Sequence, residues 1–134
     1  MENSSRRKFL RNSALAAAVP SAVMPEAAPK ELFVHHVYFY LKNPGSETDK
    51  AKLLEGLHKL KKVPTIRFVH IGSPATTNRS VIEKGYAVSW LCFFDNLEEE
   101  EVYQKHPIHL KFVEEYSHLW EKVIVYDSVG PRIG

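Results

Sequence analysis

One short stretch of the chain crowds a phenol and two imidazoles together: Tyr103, His106 and His109, with Pro107 between the two histidines. Imidazole titrates near neutral pH and a phenol can donate, so such a group could move protons. Proline ends one helix and is favoured at the first position of the next, so a helix break falls here. After it, His109, Phe112, Val113, Tyr116 and Trp120 follow spacings of three and four. That spacing puts His109 on an inward, apolar stripe. An imidazole there needs a buried partner, and Tyr103 across the break is a candidate. Earlier in the chain, His36 alternates with Tyr38 and Tyr40, while His35 shares the other strand face with Val37, Phe39 and Leu41. If the first face meets the helix, His36 comes close to His109.

The same residues also read as satisfied polar groups of a small core, with no chemistry at all. As a third reading, His106 and His109 could open a metal site with His36 as third ligand. No carboxylate lies within the motif to complete it, so no metal is expected. His58, His70 and His118 have no companions in sequence and read as surface or edge residues. Gly-rich phosphate loops, a Gly-x-Ser-x-Gly elbow and aromatic-basic platforms for nucleic acid are all missing, and no cofactor is expected.

The elements that must hold these groups alternate as strand, helix, strand, strand, helix, strand. Residues 33–41 are aromatic and β-branched and end at Asn43-Pro44-Gly45, so they form a strand. Ser46 with Asp49 opens a helix in which Leu53, Leu54, Leu57 and Leu60 repeat at helical spacing, ending before Pro64. Residues 65–71 and 86–94 make the second and third strands, with a polar loop at 73–85. Asp95 or Asn96 caps a helix whose first turn holds four glutamates, Glu98 to Glu101, suited to its dipole. It breaks before Pro107, resumes to about Trp120, and residues 122–129 form the last strand.

The order βαββαβ belongs to the ferredoxin-like split βαβ plan, an α+β fold with an antiparallel sheet and helices on one face. Strands one and three are apolar at almost every position, which implies that both sheet faces are covered. Two helical segments of one chain cover only one face. A second copy covering the other would make a homodimer, two sheets closing as an α/β barrel. With His36, Val88 and Trp90 toward the helices, Phe39 and Phe93 would face the partner.

The chain has 134 residues, 44% hydrophobic and 25% charged, which suits one small domain. Its 18 basic and 16 acidic residues give a net charge of +2. The excess sits before Lys30, in Arg6, Arg7, Lys8 and Arg11, and the remainder is neutral. A neutral body argues against nucleic acid and acidic membranes as partners. The run Ser5-Arg6-Arg7-Lys8-Phe9-Leu10-Arg11, followed by an Ala-rich segment, resembles a twin-arginine signal. Residues 1–29 are thus expected to be a signal peptide and 30–134 the exported domain, periplasmic or extracellular. The only cysteine, Cys92, excludes an internal disulfide and reads as buried and inert.

His36-Val37-Tyr38-Phe39 on the first strand, Gly85-Tyr86 at the third, Tyr103-x-x-His106-Pro107-x-His109 and the ending from Trp120 to Asp127 resemble the stress-responsive dimeric A/B barrel (Dabb) family. The likeness spans about 33–129 and implies a ferredoxin-like fold that dimerises into a barrel. One plant member is a cofactor-free cyclase of polyketide chains. By motif its catalytic tyrosine and histidine fall on Tyr103 and His109, and a pocket histidine on His36. A further pocket histidine falls on Val88, so that polar group is missing here. Tyr38, Val88, Trp90 and His106 would complete the wall of a ligand site. Two functions follow as expectations: an exported homodimer binding a small apolar or aromatic ligand, or a cofactor-independent cyclase, lyase or isomerase with a Tyr103–His109 acid–base pair.

Overall fold

The computed structural model describes residues 31–133. Residues 1–29, expected to be a twin-arginine signal, lie outside the described residues. Strand β1 (Glu31–Leu41) alternates strictly: Phe33, His35, Val37, Phe39 and Leu41 are buried, and the residues between them from Leu32 to Tyr40 only partly so. Gly45, at φ +86°, takes the left-handed turn that leads to the next helix. The Ser46 hydroxyl accepts from the Asp49 amide at 3.1 Å and caps α1 (Glu47–Leu60). Its buried stripe is Leu53, Gly56, Leu57 and Leu60. Strand β2 (Phe68–Gly72) starts three residues later than the composition suggests. A tight turn, with Ile66 N–H donating to the Val63 carbonyl at 3.2 Å, uses up the residues before it.

Strand β3 (Val88–Phe94) is followed by α2 (Leu97–Lys105), capped by Asn96 accepting from the Glu99 amide at 2.9 Å. Helix α3 (Pro107–Tyr116) begins with Pro107 in its first turn, so the expected break is present. It stops earlier than expected, in a single 3₁₀ turn (Ser117–Leu119), and β4 (Trp120–Pro131) starts correspondingly early.

The sheet order is β2-β3-β1-β4, with β1 and β2 both antiparallel to β3. This is a ferredoxin-like fold: a four-stranded antiparallel sheet with three helices. Register settles the faces. His35 lies opposite Cys92, Val37 opposite Trp90 and Phe39 opposite Val88, so these residues share one side. Leu53 and Leu57 of α1, Tyr103 of α2 and Phe112 and Tyr116 of α3 pack onto that side and form the core.

The expected orientation of β1 is therefore reversed. Phe39, expected to face a partner, is 4% exposed, with its ring against Phe112 and Trp120. His36 and Tyr38 lie on the opposite side of the sheet. Phe93 is on that opposite side, as expected, with its ring stacked on Phe68 at 5.0 Å. There Tyr126 meets Tyr38 edge-on at 6.1 Å. No described helix covers this second face, and Phe68 and Tyr126 are 48% and 65% exposed. No described helix is long and apolar enough to cross a membrane.

Candidate functional site

The break between α2 and α3 is built from three adjacent residues. His106 ends α2 in an extended conformation (φ −69°, ψ 140°) and caps α3, its Nδ1 accepting from the Ile108 amide at 3.0 Å. Pro107 then supplies a φ suited to the first helical turn and lacks the amide that would otherwise need a partner. The new helix axis turns His109 back toward Tyr103. Their ring centroids are 4.7 Å apart at 60°.

Tyr103 is almost completely buried and also meets His35 of β1, edge to face, with centroids 5.6 Å apart. His35, Trp90, Tyr103 and His109 together line a cavity of about 200 Å³ between sheet and helices. The rest of its wall is mostly apolar, including Val37, Phe39, Phe112 and Trp120. Two buried polar atoms of these lining residues, Trp90 Nε1 and His109 Nδ1, have no hydrogen-bond partner. The Trp90 indole lies beside the Tyr103 phenol and the Cys92 thiol, close enough to favour their ionised forms, yet makes an aligned hydrogen bond with neither.

Electrostatics divides the roles. Burial, and then the charge His35 would carry, lower the pKa of His109, while the Gln104 backbone works weakly the other way. The ring is thus kept neutral and able to accept a proton. Burial holds the Tyr103 phenol well above its ordinary value, so it remains a donor. Burial likewise pushes the Cys92 thiol up to about 12, which leaves it an unreactive part of the core.

His35 makes a short polar contact at the site. Its Nδ1 lies 2.7 Å from Asp127 Oδ1 on β4 and 4.0 Å from Glu100 Oε2 on α2. Gln104, one turn on, donates its amide to Glu100 Oε2 at 2.7 Å. None of these three acidic and imidazole groups stood out from composition or motif. Glu100 hides in a run of four glutamates that reads as a solvated first turn. Only period-2 alternation could have found His35, once the inward face was known.

The expected residues divide accordingly. Tyr103, His109 and Trp90 come together at the cavity. Val88 is fully buried on the same side of the sheet, opposite Phe39, without lining the cavity. His106 is the helix cap. His36 and Tyr38 belong to the other face, where they share a 3.2 Å hydrogen bond. Burial, and then neighbouring His70, lower the pKa of His36 there. A larger hollow of about 530 Å³ opens on that face, lined by Tyr38, Tyr40, Tyr86 and Tyr126 with Glu83 and Lys122. His58, His70 and His118 are exposed, as expected.

Residues 33–129 match the profile of the stress responsive A/B barrel domain, Dabb. Among solved structures, the chain is similar to a Dabb family protein with a ferredoxin-like fold from Mesorhizobium loti (TM-score 0.62, 19% identity, 78% of this chain and 100% of that one). It is also similar to a hydroxynitrile lyase from Passiflora edulis (TM-score 0.63, 19% identity, 79% and 99%). A dimeric ferredoxin-like protein of unknown function from Thermobifida fusca is similar too (TM-score 0.60, 14% identity, 74% and 91%). No curated protein matches the chain.

Proposed function

The chain belongs to the stress-responsive A/B barrel domain family, and from that premise we propose that it acts as an exported homodimer that binds a small, largely apolar compound. The compound occupies the cavity between sheet and helices and carries one polar group. The observation that carries this reading is the pair of unpartnered polar atoms, Trp90 Nε1 and His109 Nδ1, on residues lining an otherwise mostly apolar cavity. Each unmet buried group costs roughly 1–3 kcal/mol, and a carbonyl or hydroxyl on a ligand would remove that cost. The volume, about 200 Å³, limits the occupant to a compound smaller than the usual drug-sized ligand. The homodimer rests on the aromatic sheet face that no described helix covers and on dimeric proteins of similar fold. Export rests on the arginine pair Arg6-Arg7.

Both tryptophans of the chain line the cavity, so intrinsic fluorescence reports its occupancy. Benzaldehyde should quench it at lower concentration than toluene, and Trp90→Phe should narrow that difference. Equal binding of the two probes by the wild type would contradict the reading.

A second reading has its own observation: Tyr103 and His109 meet edge-on at 4.7 Å on the wall of one cavity. With a substrate carbonyl or hydroxyl in the cavity beside both rings, His109 would take or return a proton while Tyr103 donates to oxygen. This is cofactor-independent lyase, cyclase or isomerase chemistry, in a fold that also carries a hydroxynitrile lyase. A positioned proton carrier contributes about 10²–10⁴-fold, so His109→Ala should slow any cleavage of benzaldehyde cyanohydrin by that order. No cleavage above the uncatalysed rate would leave binding alone.

A further inference from the structure

Three elements each bring one ligand-type side chain to a single point: His35 from β1, Glu100 from α2 and Asp127 from β4. Their closest donor atoms, His35 Nδ1 and one carboxylate oxygen from each acid, lie within 4.8 Å of one another. His35 is 4% exposed and Glu100 6%, so one imidazole and one carboxylate are held almost out of water. Among the described residues, no lysine or arginine pairs with Glu100 or Asp127. The only hydrogen bond to the Glu100 carboxylate among the described residues comes from the neutral Gln104 amide. Burying a carboxylate beside a second one is costly unless a cation joins them.

We propose that His35, Glu100 and Asp127 form a binding site for one divalent transition-metal ion, with Zn²⁺ the preferred occupant. One imidazole and two carboxylates are a ligand set zinc accepts, and three protein ligands leave a position for water or a ligand. Zinc bonds of about 2.1 Å place tetrahedral ligand atoms roughly 3.4 Å apart. The 2.7 Å contact from His35 Nδ1 to Asp127 is a hydrogen bond that the ion would replace, releasing its proton to solvent and opening the pair toward this spacing, while Glu100 stands 4.0 Å away. Asp127 has a side chain 43% exposed, which gives an ion a route from solvent. His35 also lines the cavity, so the ion would stand at its wall. The site shares that wall with Trp90 and His109, but none of its three ligands is a proposed ligand contact, so zinc uptake is read independently of them.

The test is calorimetric titration of tag-free protein with ZnCl₂ in a non-chelating buffer. The expected result is one ion per chain, with Asp127→Asn and Glu100→Gln each weakening binding at least tenfold. Asp127 is half-exposed, so its variant leaves the core intact, and circular dichroism verifies that both variants fold. Exposed His58→Gln and His118→Gln should bind zinc as the wild type does. X-ray absorption at the zinc edge should show nitrogen and oxygen ligands with a single imidazole. No stoichiometric uptake, unchanged affinity in Asp127→Asn, or sulfur ligation from Cys92 would each overturn the proposal.

Discussion

His109 and His36 sit on opposite faces of the sheet, yet burial lowers the pKa of both below the ordinary 6.5. Well above pH 6.5 both rings are neutral whether the chain is folded or not, and they add nothing to the pH slope. As pH falls below 6.5 the unfolded chain takes up protons first, so stability falls until the folded rings protonate too. Urea unfolding at pH 7.5 and 5.5 should therefore show the wild type losing stability on acidification. His109→Gln should lose less over the same interval. If variant and wild type lose the same amount, His109 is not held neutral by its surroundings.

At the scale of elements, the pivot is the junction of α2 and α3. A continuous helix would carry His109 around the axis, since six residues separate it from Tyr103 and a turn takes 3.6. The His106 cap and Pro107 interrupt that rotation and bring the two rings to 4.7 Å. The second half of the junction is anchored where α3 crosses α1. Gly56 lies against the Tyr116 ring, whose hydroxyl donates to Glu55 at 2.8 Å. A Cβ at Gly56 would approach that ring to 2.7 Å. Alanine is the better helix former by about 1 kcal/mol. Overpacking at a well-filled contact costs about 1–3 kcal/mol and should win. Gly56→Ala should therefore lower the melting temperature, and a higher one would show that α3 can shift freely.

At the scale of the whole molecule, the sheet has one face closed by helices and one aromatic face that no described helix covers. An obligate pair would cover it, and its stability would depend on concentration. Sedimentation at micromolar concentration should give twice the monomer mass. Phe93→Glu should yield monomer or insoluble protein, whereas Phe39→Glu should prevent folding itself, because Phe39 is in the helix-side core. A stable, soluble wild-type monomer would contradict the pairing. Export is tested separately, since replacing Arg6 and Arg7 by lysine should retain the precursor in the cytoplasm. Unchanged fractionation of that variant would remove the arginine pair from consideration.

The order of elements, the helix break at Pro107 and the nearness of Tyr103 to His109 were legible in the residues themselves, although the two rings meet edge-on and His109 Nδ1 does not make the hydrogen bond expected of it. Local chemistry decides each: proline lacks an amide, Ser46 and Asn96 cap, and helical spacing carries His109 inward. The long apolar runs also announced a sheet whose two faces both want cover. What they could not announce was which face meets which neighbour. Strand β1 is aromatic or aliphatic on both sides, so a period of two leaves the two orientations nearly equal, and a shift of one residue exchanges every side chain. Only packing against α1, α2 and α3 turns His35 inward and His36 outward. The same holds for Glu100 and Asp127, separated from His35 by 65 and 92 residues of chain. Their meeting is a product of strand order β3-β1-β4 and of where α2 lies across it, and no local pattern encodes it.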